Sequence, residues 1–138
     1  MTHQVTLEFA TPGRGTRNIT DEVARAVASS QVRTGLAHVF VQHTSCSLTI
    51  TENADPDVRR DLETILSRLV PDGDPAYRHD LEGPDDMAAH ARQVLTATSI
   101  SVPVGDGRLL LGTWQGIFLW EHRTGAQRRR VVVTVLGG

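Results

Sequence analysis

His43, His79 and His90 raise the first chemical question in this sequence. His43 closes an alternating run that contains Val39 and Val41, His79 lies in an acidic stretch with Asp80, Glu82, Asp85 and Asp86, and His90 follows Asp86 by four residues. Three imidazoles with an open fourth position suit zinc or a similar divalent ion. A carboxylate four residues before a histidine on a helix can orient the ring, fix its tautomer or share a cation with it. The spacing matches no HExxH-type signature. Convergence must therefore come from the fold, and each histidine taken alone reads more readily as a satisfied structural residue.

Two other stretches carry reactive side chains. In QHTSCSLTITENADPD, from Gln42, His43 could activate Cys46 as a nucleophile. Cys46 shares the parity of Leu48 and Ile50, however, which makes a buried core thiol the better reading. Ser45 and Ser47 lack a GxSxG elbow and read as hydrogen-bonding partners. In LGTWQGIFLWEHR, from Leu111, Gly112 and Gly116 bracket Trp114 and Gln115, so a backbone bend can project an aromatic face and an amide. Glu121 shares the parity of Ile117 and Leu119. A carboxylate on an apolar strand face needs a partner: an arginine, a metal-bound water, a substrate amine or a subunit boundary.

The elements that must position these groups follow from periodicity. Alternation predicts strands over residues 3–9, 36–42, 46–52, 98–104, 108–111, 116–121 and 130–136, with a GDG hairpin turn at 105–107. Thr20 followed by Asp21 and Glu22 starts a helix with the stripe Val23, Ala26, Val27 and Ser30, ending near Gly35. Asp55 and Pro56 start a second, with Val58, Leu62, Ile65, Leu66 and Leu69 as the best amphipathic pattern in the chain. A third begins at Pro84 or Asp85 and runs to about Leu95, with Met87, His90, Ala91 and Val94 on its inner face. Residues 77–86 form a polar loop before it. Strands dominate without regular strand-helix alternation, so the fold class is α+β with a mostly antiparallel sheet and about three helices.

Composition bounds the rest. The chain has 138 residues, 39% of them hydrophobic and 22% charged, which fits one globular domain, 1–138. No apolar run approaches the roughly 18 residues a membrane span needs, and the N-terminus lacks a signal-peptide pattern. A single cysteine excludes an internal disulfide and suits a reducing cytoplasm. A net charge of -2 gives no broad electrostatic reason to bind nucleic acid. The only dense basic run, Arg128 to Arg130, reads as a solvated strand edge or as an anion contact.

Three blocks, HTSCSLTITENADPDV from His43, YRHDLEGPDDMAAH from Tyr77 and GRLLLGTWQGIFLWEHR from Gly107, closely resemble the UPF0047 or YjbQ-like family. That family is sometimes labelled secondary thiamine-phosphate synthase. With their spacing the blocks cover nearly the whole chain. Thr51, Ala88, Trp120 and His122 depart from the family pattern, and none removes a histidine or carboxylate from the candidate site. The resemblance implies a β-sandwich-like sheet and a homotrimer with pockets near subunit boundaries. It also implies a weak capacity to join the two halves of thiamine phosphate. Such a reaction displaces pyrophosphate and needs a divalent cation, zinc or magnesium or manganese.

The site expected from residues and resemblance together has three parts. His43, His79 and His90 hold the metal; Glu82, Asp86 and Glu121 are the catalytic carboxylates; Trp114, Gln115 and Arg108 bind a small-molecule ligand that carries phosphate. The alternative is a non-enzymatic trimer that holds a small molecule or metal in the same pocket.

Overall fold

A computed structural model describes residues 1–138. Eight strands form two sheets. One has five strands, in the order β1 (Thr2–Thr11), β8 (Gln127–Gly137), β3 (Gly35–Val41), β5 (Ser99–Gly105) and β6 (Arg108–Leu109). The other has three, β2 (Gly15–Asn18), β7 (Gln115–Glu121) and β4 (Cys46–Glu52). Every pairing is antiparallel. The helices are α1 (Thr20–Ser30), α2 (Pro56–Leu69) and α3 (Asp86–Leu95). This is the expected α+β class.

The core lies between the sheets. Val131, Val133 and Val135 of β8, Ala37 and Val39 of β3 and Val102 of β5 face Leu48, Ile117 and Leu119, and α1 closes one end with Val23, Ala26 and Val27. Cys46 joins this cluster. Burial pushes its thiol up to about 12, so it stays protonated and unreactive.

Local signals explain most boundaries. The Asp55 side chain accepts the Asp57 N–H at 2.9 Å, and Pro56 follows at the first helical position of α2. At α1 the expected cap shifts. Asn18 Oδ1 accepts the Thr20 N–H at 3.0 Å, and the Thr20 hydroxyl instead accepts the Ile117 N–H at 2.8 Å, tying the helix to β7. The helix ends at Ser30, earlier than expected, through Gln31 in the left-handed region at φ 61°. β6 stops at Leu109, two residues short of the expected strand, and β2 has no counterpart among the expected strands because GTRN has no apolar alternation.

Two helices bury faces other than the expected ones. On α2 only Leu66 is buried, because its inner side makes polar contacts: Arg59 lies 4.6 Å from the Phe118 ring centroid and Glu63 accepts the Trp120 indole N–H at 2.8 Å. On α3 the buried residues are Asp86, Ala88, Ala89, Arg92 and Gln93, while Val94 is exposed. The helix is turned by loop carbonyls that need donors. The Gln93 amide donates to the carbonyls of His43 and Cys46, and Arg92 donates to Glu63 and to the Val70 carbonyl.

His122 follows β7 into the interior. It is fully buried, with Nε2 2.8 Å from the Ser47 hydroxyl and no partner for Nδ1. Burial, reinforced by Arg92, pulls its pKa down to about 3, so the ring is neutral in the fold. The unfolded chain takes up this proton below about pH 6.5 while the folded chain refuses it until about pH 3. Stability is therefore full above pH 6.5 and falls by about 1.4 kcal/mol per pH unit as the pH drops through that window. Urea titrations at several pH values should show this slope in the wild type and a shallower one in His122→Gln. Equal slopes would refute the assignment.

Candidate metal centre

The chain leaves α2 through a loop and re-enters a helix at Asp86, which places His79, Asp86 and His90 together. Their ligand atoms all lie within 4.8 Å of one another. Asp86 is buried; its Oδ2 is 2.6 Å from His79 Nε2 and 3.1 Å from His90 Nε2. The two rings are 5.3 Å apart. Helical spacing puts Asp86 and His90 on one side of α3, and the loop returns His79 over the first turn.

The tautomer of His90 decides what this arrangement can do. Its Nδ1–H donates to the Thr44 carbonyl at 2.7 Å. In the neutral ring Nε2 therefore carries a lone pair, and that lone pair faces a carboxylate oxygen. Two acceptors 3.1 Å apart require a proton or a metal ion between them. Burial works against ionisation of Asp86, but the hydrogen bond from His79 and the positive charge of Arg123 help to outweigh it and hold its carboxyl below the usual range.

Arg123 is the residue whose role sequence reasoning missed. Its Nε lies 2.8 Å from Asp85 Oδ2, its NH1 2.9 Å from Asp86 Oδ1, and its NH2 donates to the Glu82 carbonyl at 3.0 Å. One guanidinium thus fixes the whole acidic turn and leaves only Oδ2 of Asp86 facing the imidazoles. Burial opposes ionisation of Asp85, yet Arg123 and the Thr124 N–H lower its carboxyl to about 2. The signal was a loop crowded with carboxylates, which demands a cation from elsewhere in the chain.

The remaining candidates divide. Glu82 is exposed on the same turn. His43, expected as the third imidazole ligand, does not join the three-atom cluster. Its Nε2 accepts the Arg130 N–H at 2.7 Å, so the lone pair a metal would need is already used. Burial and then the charge of Arg129 lower its pKa. Glu121, expected as a catalytic carboxylate, lies in the core away from the cluster. It is paired with Arg129, accepts the Thr11 hydroxyl at 2.7 Å and accepts the Arg123 N–H at 3.1 Å.

Trp114 and Gln115 sit at the far end of β7. Gln115 pairs with Glu52, whereas Glu121 pairs with Cys46, near the Thr44 that holds His90. Six residues of strand span about 20 Å. The Gln115 side chain folds back to accept the Gly112 N–H at 2.8 Å, while Trp114 is exposed on a loop whose carbonyls Asn53 holds. Arg108 is exposed on β6, an edge of the other sheet. Within one chain, then, none of the three expected ligand-binding residues reaches the centre. Beside His79 a cavity of ≈ 310 Å³ is lined by Asp74, Tyr77, Asp80 and Pro84, and it gives a small molecule room.

Two packed antiparallel sheets with a histidine-carboxylate cluster at a loop-helix junction define the architecture of this α+β protein. The chain belongs to the YjbQ family, described as UPF0047 protein YjbQ-like, whose model matches residues 4–138. It is similar to the UPF0047 protein sll1880 of Synechocystis, at 52% identity over 98% of this chain and 92% of the relative. The UPF0047 protein YjbQ of Escherichia coli O157:H7 is 45% identical over 99% of both chains. Among solved structures, the conserved hypothetical protein TT1486 of Thermus thermophilus superposes with a TM-score of 0.85 at 42% identity, covering 96% of this chain and 99% of that one.

Proposed function

We propose that His79, Asp86 and His90 bind one divalent ion and that the protein is a small metal-dependent enzyme acting on a ligand held at that ion. The observation that carries this is the His90 lone pair, fixed by Thr44 and aimed at a buried carboxylate that Arg123 holds in place. Two imidazoles and one carboxylate with open positions fit zinc, or a comparable transition metal, better than magnesium. Such an ion would serve as a Lewis acid toward an oxygen-bearing ligand. Around it Arg123 positions Asp86, Thr44 orients His90, and the exposed Glu82 carboxylate stands on the same turn.

Joining the two halves of thiamine phosphate fits this centre as a slow side reaction. It needs the cation, but it also needs basic groups for a leaving diphosphate, and Arg123 is already engaged by Asp85, Asp86 and Glu82. That engagement favours a second reading, in which a cytoplasmic homotrimer holds a metal and a small molecule without turnover. Protein purified without an affinity tag should contain about one zinc per chain, and metal-stripped protein should regain thermal stability on adding zinc. No bound metal, together with no thermal shift, would refute the metal reading. If metal is bound, an assay with a pyrimidine diphosphate and a thiazole phosphate separates enzyme from carrier.

A further inference from the structure

Two apolar surfaces of the chain have no partner within it. The first is the outer flank of α2, where Val58, Leu62, Ile65 and Leu69 follow one another at helical spacing. Ile65 is 50% and Leu69 67% exposed. The second is the outer face of the five-stranded sheet. Strand register places Leu36 beside Leu136 and Phe40 beside Val132, and Leu36, Phe40 and Leu136 are all exposed. No helix of the chain covers this face: α1 packs on the core side, and the inner side of α2 lies against Phe118 and Trp120 of the other sheet.

We propose that α2 of one copy of the chain lies across the outer face of the five-stranded sheet of the next. An amphipathic helix and a sheet face with exposed apolar side chains among polar ones can form a helix-on-sheet layer, and here one chain carries both halves out of reach of each other. The surfaces differ, so the contact is head to tail, and such contacts build rings when the rotation closes. Charge agrees with this occupant. Asp61 stands one turn before Ile65 on the same flank, and Arg128 and Arg130 project from β8 on the outer face, next to the row of Phe40 and Val132. None of these three has an ion-pair partner within the chain. Covering the two faces takes Leu36, Phe40, Ile65, Leu69 and Leu136 out of water. The inference rests on the proposal that the protein self-associates, supplies its contact, and is independent of the metal.

The test uses native mass spectrometry in the presence of chelator. Wild type should run as a multiple of 15.1 kDa. Ile65→Asp and Phe40→Asp should each be folded by circular dichroism and monomeric, because an aspartate buried in an apolar contact raises the dissociation constant by about a hundredfold. Mixed in equal amounts, they should form a two-chain species, since one keeps an intact sheet face and the other an intact helix. Arg130→Glu is a gentler probe: it should weaken assembly, and adding Asp61→Arg in the same chain should restore it. A monomeric wild type, unchanged masses in both aspartate variants, or a mixture that stays monomeric would overturn the proposal. A trimer that ignores both substitutions would refute this contact while leaving the trimer itself intact.

Discussion

Replacing Arg129 with methionine is expected to cost about 3–5 kcal/mol of folding stability, the range for leaving one partner of a buried ion pair uncompensated. The partner left behind is Glu121, which is 1% exposed, and Arg129 itself is 4% exposed. Arg129 Nε donates to Glu121 Oε1 at 2.7 Å, and its NH2 reaches both Glu121 Oε2 and the Ser45 hydroxyl. No other guanidinium contacts Glu121, and the remaining donors, Thr11 and the Arg123 N–H, cannot neutralise a carboxylate in a core. Burial opposes its ionisation, but Arg129 and Thr11 overcome this and hold the carboxyl below its ordinary range. Without Arg129 it must either bury an unpaired charge or take up a proton. Replacing both residues with methionine should recover most of the loss, because an apolar pair of similar volume escapes the desolvation cost. Urea unfolding of the two variants checks this; a loss below about 1 kcal/mol in the single variant would show that Glu121 is not held as described.

Asp86→Asn should lower zinc affinity by more than about a hundredfold, since even residues that only support a ligand are worth 10–100-fold. The substitution keeps the shape but replaces the negative charge. Its amide nitrogen, turned toward His90, could satisfy the lone pair with a hydrogen bond and remove the need for a cation. Folding should change little in the absence of metal. The difference should appear on adding zinc, where about a hundredfold excess over the wild-type Kd stabilises wild type by about 2.7 kcal/mol and the variant by far less. Isothermal titration of both proteins gives the affinities directly. Equal affinities would place the ion elsewhere.

The readable part of the fold was the part that depends on periodicity alone. Val23, Ala26, Val27 and Ser30 are the buried residues of α1, Asp55 and Pro56 start α2, and Cys46 is core. Periodicity names a helical face without saying what that face will meet. On α3 the apolar side with Val94 turns outward, because Arg92 and Gln93 must satisfy buried carbonyls that come from distant loops. The candidate site shows the same limit. The acidic loop and the four-residue spacing of Asp86 and His90 pointed to a cation site. No spacing, however, could show that the His43 lone pair would be taken by the Arg130 N–H, or that Arg123 would cross from the end of β7 to clamp the turn.

The buried Cys46 thiol has a practical consequence. A cysteine that remains protonated at working pH and is shielded on every side is silent toward maleimides and thiosulfonates. The natural sequence is therefore already a clean background for single-site labelling. A cysteine introduced at the fully exposed Leu81, two residues from His79, would take a nitroxide without touching the core. Manganese or copper bound nearby would then broaden its spectrum, reporting the occupancy of the centre in solution without reference to any reaction.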